Sequence, residues 1–406
     1  MKKWVCVFLA LAVLTGGLFA KGGVEAPKGP VKIALWTQEG ESEGSFQFVK
    51  KLADAYTALY PNITFDVLNK ETEALRQDFL AASLAGSAPD LVLTVNDHAG
   101  PFSVADVIQP VDSLFDLKLY LPSAAAIGSK TWGVPVSSGN HLMLLFNKDM
   151  VKTAPKDTDE LISVGKTLTT GGKYAIVWNQ TEPFWLVPWL GGFGGSVFDK
   201  DGVTPTLNTK AMVDTLQFLY DLKSKYAITP KEADYATMDT LFKEGKSAML
   251  INGDWSLGDY SKALGDKLGI APIPMVSATK KWPAPYTSGK YFMIPKSVTG
   301  DTLKAVVAFI NFYTNYENQI DMAKTLSRLP ALRKATADEY VKNNPVLRGS
   351  TSQLVLGTPM PAALEMRCNW DAMKPELNAV LAGTKSAADA AKAMQDAAVA
   401  CLKTIQ

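Results

Sequence analysis

Residues 31–95 read VKIALWTQEGESEGSFQFVKKLADAYTALYPNITFDVLNKETEALRQDFLAASLAGSAPDLVLTV, and this stretch decides the fold class. Val31-Lys32-Ile33-Ala34-Leu35-Trp36 alternates like a strand and ends in an aromatic. Phe46, Val49, Leu52, Ala53, Tyr56 and Leu59 then recur at helical spacing, with Pro61 just past the end. Ile63 to Leu68 reads as a second strand, Glu71 to Ala85 as a second helix stopped by Gly86, and Asp90 to Val95 as a third strand. Strands alternating with helices of this length predict an α/β fold, a parallel sheet with helices on both faces. Ligands of such sheets sit beyond the carboxyl ends of the strands, which here carry Trp36-Thr37-Gln38-Glu39 and Asn96-Asp97-His98.

A second unit of the same class follows. Leu142 to Phe146, Tyr174 to Trp178 and Lys246 to Ile251 read as strands, and Lys210 to Tyr226 and Thr237 to Glu244 as helices. After Pro283-Ala284-Pro285 come a strand at Tyr291 to Ile294 and a helix at Thr302 to Tyr313, then helical patterns over Asn369 to Ala382 and Ser386 to Lys403. A chain of 406 residues is long enough for two or three lobes, each with its own core. Lys+Arg is 41 against Asp+Glu 40, a balance that argues against a nucleic-acid partner. The two histidines and three cysteines fall at no metal-ligand spacing, so no metal and no cofactor is expected.

At the start, Lys2 and Lys3 precede an apolar run from Trp4 to Leu14 that Gly16-Gly17 interrupts, which reads as an export signal over residues 1–20. The run is shorter than the ~20 apolar residues of a spanning helix. Cys6 lies inside the run rather than just after it, so a lipid anchor at that cysteine is not expected. A Gly/Pro/Lys tether over 21–30 follows, and a periplasmic location is the expectation.

Trp36 and Trp255 follow strands, Trp178, Trp185 and Trp189 crowd one segment with Phe184, and Trp370 opens a predicted helix. Core packing accounts for any one of them. Several aromatics at loop-facing strand ends, beside Glu39, Asp97, Asn179, Gln180, Glu182 and Asp254, point jointly to carbohydrate, because a flat ring suits the C–H face of a pyranose and the polar groups suit its hydroxyls. A glycosidase would need two carboxylates flanking the scissile bond, and Asp97 with Glu182 is one candidate pair. No acid-plus-nucleophile motif and no G-x-S-x-G is present. Gly191-Gly192-Phe193-Gly194-Gly195 lacks the lysine and hydroxyl of a phosphate loop.

Ala88-Pro89-Asp90-Leu91, Asn96-Asp97-His98, Phe146-Asn147-Lys148-Asp149, Asn179-Gln180-Thr181-Glu182-Pro183-Phe184, Phe242-Lys243-Glu244-Gly245-Lys246-Ser247-Ala248-Met249 and Ile251-Asn252-Gly253-Asp254-Trp255 follow in order. Together they resemble the extracellular solute-binding proteins of carbohydrate ABC importers, especially the maltose/maltodextrin-binding type. The resemblance implies a two-lobed periplasmic-binding-protein architecture. Each lobe would be a mixed, mostly parallel sheet flanked by helices, with a hinge of crossing strands. The first lobe would comprise 31–136 plus 288–345 and the second 137–287 plus 346–406. It also implies capture of an oligosaccharide by hinge closure, delivery to ABC permease membrane subunits, no enzymatic activity and a monomer. Carried over, Trp36, Asp97, Glu182, Phe184, Trp255 and Trp370 look like the sugar-contacting set, to which Glu39, His98 and Trp185 are added as candidates. Phe184 stands where this family's prototype has a tyrosine, and His98 where it has an arginine. A secreted glycan-processing enzyme and a sugar sensor feeding a receptor stay open as alternatives.

Cys368 stands just before the first of two predicted helices joined by a short turn at Gly383, and Cys401 lies near the end of the second. A short connection makes such helices antiparallel, so both cysteines fall near the open end of the hairpin, where an oxidising compartment permits a disulfide. Two buried free thiols are the other outcome.

Overall fold

Strands β1 (Val31–Thr37), β2 (Ile63–Asn69) and β3 (Leu91–Val95) form where the 31–95 stretch predicts them. The computed structural model describes Pro27, Gly29–Glu41 and Gly44–Ile405, so the expected export segment lies outside the described residues. β1 pairs in parallel with β2 and with β3. The intervening helices cover opposite faces. Phe48, Val49, Leu52 and Tyr56 of helix Ser45–Leu59 pack with Ile33, Leu35, Leu91 and Leu93. Leu75 and Phe79 of helix Thr72–Leu84 pack instead with Val92 and Phe102. The alternation along β3 thus feeds two cores, as the two-residue period of a strand requires. Glu71 caps helix Thr72–Leu84 by accepting from the backbone N–H groups of Glu73 (3.0 Å) and Ala74 (3.1 Å).

The remaining strands are β4 (Ala126–Ile127) and β5 (Lys130–Thr131), a small hairpin, then β6 (Val134–Gly139), β7 (Leu142–Asn147), β8 (Tyr174–Val177), β9 (Ser247–Gly253), β10 (Leu268–Ala271), β11 (Tyr286–Met293), β12 (Leu329–Pro330) and β13 (Thr358–Pro359). The first sheet runs β12-β6-β11-β3-β1-β2, with β13 beside β11, and the second runs β10-β7-β9-β8. Both sheets are mixed, but parallel pairing dominates only the β3-β1-β2 half of the first. In the second sheet β7 is antiparallel to both β9 and β10, and only β8 and β9 are parallel. The expectation of mostly parallel sheets is corrected on this point. Returning strands such as β11, antiparallel to both β3 and β6, come from the other sheet rather than through a helical crossover.

The second sheet has its own core, in which Leu142–Phe146 and Met249–Ile251 meet Leu216 and Leu219 of helix Lys210–Ser224. Helices Glu365–Leu381 and Ala387–Ile405 pack on the same core through Met366, Met373, Leu377, Ala391 and Met394. A disulfide between Cys368 and Cys401, with Cα atoms 5.6 Å apart, ties these two helices together. The chain passes between the sheets from β6 to β7, from β10 to β11 and again after β13. The expected lobe boundaries at 136/137 and 287/288 fall inside β6 and β11. Among the described residues no helix is long and apolar enough to cross a membrane.

Candidate functional site

Two strands end directly in a 3₁₀ turn, and a third is followed by one after a short loop. β3 runs into a single 3₁₀ turn at Asn96–His98, β9 into one at Asp254–Ser256, and after β8 the chain forms one at Pro183–Trp185. Each turn carries side chains predicted for the site beyond a strand's carboxyl end. Asn96 is fixed by donating its amide to the carbonyls of Ala124 (3.1 Å) and Met360 (2.8 Å). Gly253 is required because a Cβ there would collide with the Trp255 ring, which folds back over the strand end. Gly139, at φ 128°, leaves room for the Asp254 carboxylate.

The aromatics converge. The Phe184 ring lies 6.1 Å from Trp255 and 6.2 Å from Trp370, at tilted angles. Trp185 lies behind them, edge-on to Trp255 at 6.1 Å, and donates its indole N–H to the Ile251 carbonyl (2.8 Å). It is buried with its polar atom satisfied, so it supports the aromatic group rather than facing the opening. Trp255 Nε1 donates to the Tyr235 hydroxyl at 2.8 Å, which fixes the indole plane. Trp178 and Trp189 are core residues, as the plain packing account has it.

The first sheet faces this group with charge and hydrogen-bonding atoms. Trp370 Nε1 donates to Asp97 Oδ2 at 3.3 Å, a contact from the helix packed on the second core to a turn of the first sheet. Asp97 Oδ1 has no partner. Burial, with the nearby Glu73 carboxylate, raises the Asp97 pKa to about 6 against the Trp370 hydrogen bond. His98 is buried, its Nδ1 2.8 Å from Thr94 Oγ1, and Thr94 donates to Gln38 Oε1 at 2.6 Å. With the threonine proton so used, Nδ1–H is the donor, and Nε2 is left as an acceptor without a partner. Burial, with Arg76, Lys290 and Arg367 nearby, holds the His98 pKa down at about 3, so the ring is neutral.

Not every candidate joins the group. Glu39, 3% exposed, is bound by Arg328 Nη1 at 2.7 Å in an ion pair that is buried on both sides. Burial opposes its charge, but Arg328 and Lys290 outweigh that and hold the pKa at about 2. Glu39 is therefore a structural anion inside the first sheet's domain. Trp36 stays on β1, its ring under the Lys70 ammonium at 4.5 Å. Glu182 is half-exposed and held by Lys374 at 2.5 Å. Asn179 is turned into its own loop, accepting from Thr181, and Gln180 donates to the Pro230 carbonyl of another segment. The sequence reading missed Tyr286, edge-on to Trp370 at 6.0 Å, and Tyr235. It also missed Arg367 and Lys374, one turn before and after Trp370 on the same helix, where helical spacing from Trp370 is the signal that finds them. Among the described residues no group of three His, Cys, Asp or Glu could hold a metal ion.

The profile of the family described as bacterial extracellular solute-binding protein matches residues 51–349, and the chain belongs to that family. The maltose/maltodextrin-binding domain of Bdellovibrio bacteriovorus, solved with maltotriose, superposes with a TM-score of 0.88 at 37% identity, covering 92% of this chain and 100% of that one. The maltotriose-binding protein of Thermus thermophilus, also solved with maltotriose, gives 0.84 at 25% identity, covering 91% and 100%. The maltotriose-binding protein of Pyrococcus abyssi is 26% identical over 374 residues, 89% of this chain and 80% of its own length. A galactooligosaccharide-binding protein of Bacillus subtilis is 23% identical over 420 residues, 98% of this chain and 96% of its own.

Proposed function

We propose that this exported solute-binding protein captures a maltodextrin-type oligosaccharide between its two lobes and delivers it to the membrane subunits of an ABC importer. The lobes are taken as 31–136 plus 288–345 and 137–287 plus 346–406. The observation that carries the reading is the cluster of Phe184, Trp255 and Trp370, whose Trp370 indole N–H reaches from one side to the Asp97 carboxylate on the other. Aromatic faces take the apolar faces of successive pyranoses, and Asp97 Oδ1 and His98 Nε2 are acceptors for hydroxyl groups. Ligand touching both sides binds the closed form better and so shifts the equilibrium toward it.

On this reading the protein acts as a monomer, handles no nucleic acid and makes or breaks no covalent bond. A thermal-shift series with maltotriose, longer maltodextrins, galactooligosaccharides and monosaccharides tests it. A ligand at a hundredfold its dissociation constant stabilises by about 2.7 kcal/mol. The reading expects the largest shift with maltotriose or longer maltodextrins. It fails if no saccharide shifts the transition or if the sugar is recovered cut after prolonged incubation.

A further inference from the structure

Four charged side chains outside the sugar-facing group form an unbroken chain across the cleft. Glu73 Oε2 accepts from Arg76 Nε at 3.1 Å, on its own helix, and from Arg367 Nη1 at 2.6 Å, on the helix that carries Trp370. Arg367 also grips Asp371 with two parallel bonds, Nε to Oδ2 at 3.0 Å and Nη2 to Oδ1 at 2.5 Å. Helix Thr72–Leu84 belongs to the first sheet's domain through Leu75 and Phe79, and helix Glu365–Leu381 to the second core. The Glu73–Arg367 bond therefore spans the same gap as the Trp370–Asp97 bond, with Arg367 one turn before Trp370.

We infer that Glu73 and Arg367 are positioning residues that latch the closed cleft and hold the Trp370 indole N–H on Asp97; the inference rests on the sugar-capture reading above. Opening breaks the Glu73–Arg367 pair, but Glu73 keeps Arg76 and Arg367 keeps Asp371, so neither side chain of that pair is left without a counter-ion. Arg367 is 27% and Glu73 44% exposed, so the pair is partly solvated, screened by salt and weak enough to release. Such a bond tunes an equilibrium without locking it, which a carrier that must give up its cargo requires.

The test uses Glu73→Gln, Arg367→Gln and the double variant, titrated with maltotriose at 20 and 500 mM NaCl. Each single variant weakens binding about three- to tenfold at low salt, the double loses no more than the larger single loss, and the salt dependence of the native chain disappears in the double. Spin labels at Leu84→Cys and Lys231→Cys report the lobe separation without ligand, and the double variant moves that distribution to longer distances. Additive losses, or unchanged affinity with an unchanged distribution, overturn the latch. If the native chain binds no saccharide, the sugar reading fails by itself and the distances decide: a shift upholds the latch and its absence removes it.

Discussion

The side of the cleft built on the second sheet presents Phe184, Trp255 and Trp370 backed by Trp185 and Tyr235, whereas the side built on the first presents Asp97 and His98 and belongs to the domain that buries the Glu39–Arg328 pair. Ring faces gain from contact whatever the hydroxyl pattern of the sugar. Buried acceptors lose unless the right hydroxyl meets them. The proposed division is that one wall supplies affinity while the other selects, and their contents allow it to be broken at separate points.

The largest expected effect is on the buried ion pair of the selecting side's domain. Glu39→Ala would remove the carboxylate that the buried Arg328 guanidinium binds, a loss of about 3–5 kcal/mol for a broken buried pair. Urea unfolding checks it. An unchanged midpoint would mean that the pair is solvated in practice and that the two walls rest on equally soft supports. The pair also sets a pH window. Because the folded Glu39 pKa is depressed to about 2, its contribution is complete above the unfolded value of 4.5 and is lost as pH falls toward 2.

Next in size is the brace of the aromatic wall. Cys368 stands two residues before Trp370, and its bridge closes a loop with a sequence separation of 33, for which the chain-entropy account gives about 3–4 kcal/mol. Thermal unfolding with and without reductant should show this loss. Stability unaffected by reductant, with no thiol titratable before reduction, would show that the helices hold themselves.

On the aromatic wall itself, Trp370→Ala should cost about 1–3 kcal/mol of oligosaccharide affinity, by analogy with base-on-aromatic stacking. Calorimetry with maltotriose reads it. Trp185→Phe should cost little, since that ring is buried with its N–H on Ile251. Equal losses in both would erase the distinction between facing and supporting aromatics.

Legibility in the sequence followed the same divide. The aromatic wall could be read because tryptophans at strand ends are few and conspicuous, and β1 to β3 because their alternation is clean. β6 could not, since Pro135, Ser137, Ser138 and Gly139 lack strand character. It is held by its neighbours β11 and β12, with a register shift at Lys290/Tyr291. The helix of Trp370 begins at Glu365, four residues before its predicted start, and runs through Pro375. The partners of Glu39 were out of reach: Arg328 lies 289 residues away, and no local periodicity encodes a contact at that range. The aromatic at 286 follows a Pro-rich loop, and alternation that predicts the strand only from Tyr291 misses the first five residues of β11.

The smallest expected effect joins the two walls, through the proton on Asp97. Its pKa in the ligand-free fold is raised to about 6 by burial and by Glu73, so the protonated form is favoured by folding. Relative to an unfolded value of 3.8, this makes the ligand-free protein gain stability as pH falls from about 6 to 4, opposite in sign to Glu39 in its lower window. A sugar hydroxyl donating to the free Oδ1 favours the ionised form instead, so binding must release a proton below pH 6. Affinity for maltotriose should then be flat above pH 7 and fall about tenfold between pH 7 and 5, since one pKa unit corresponds to about 1.4 kcal/mol. Asp97→Asn should abolish the slope while keeping the aromatic contribution. A slope that survives Asp97→Asn would assign the proton to another group and leave the selecting wall without its carboxylate; a slope lost together with all binding would place the affinity, too, on the first sheet's side.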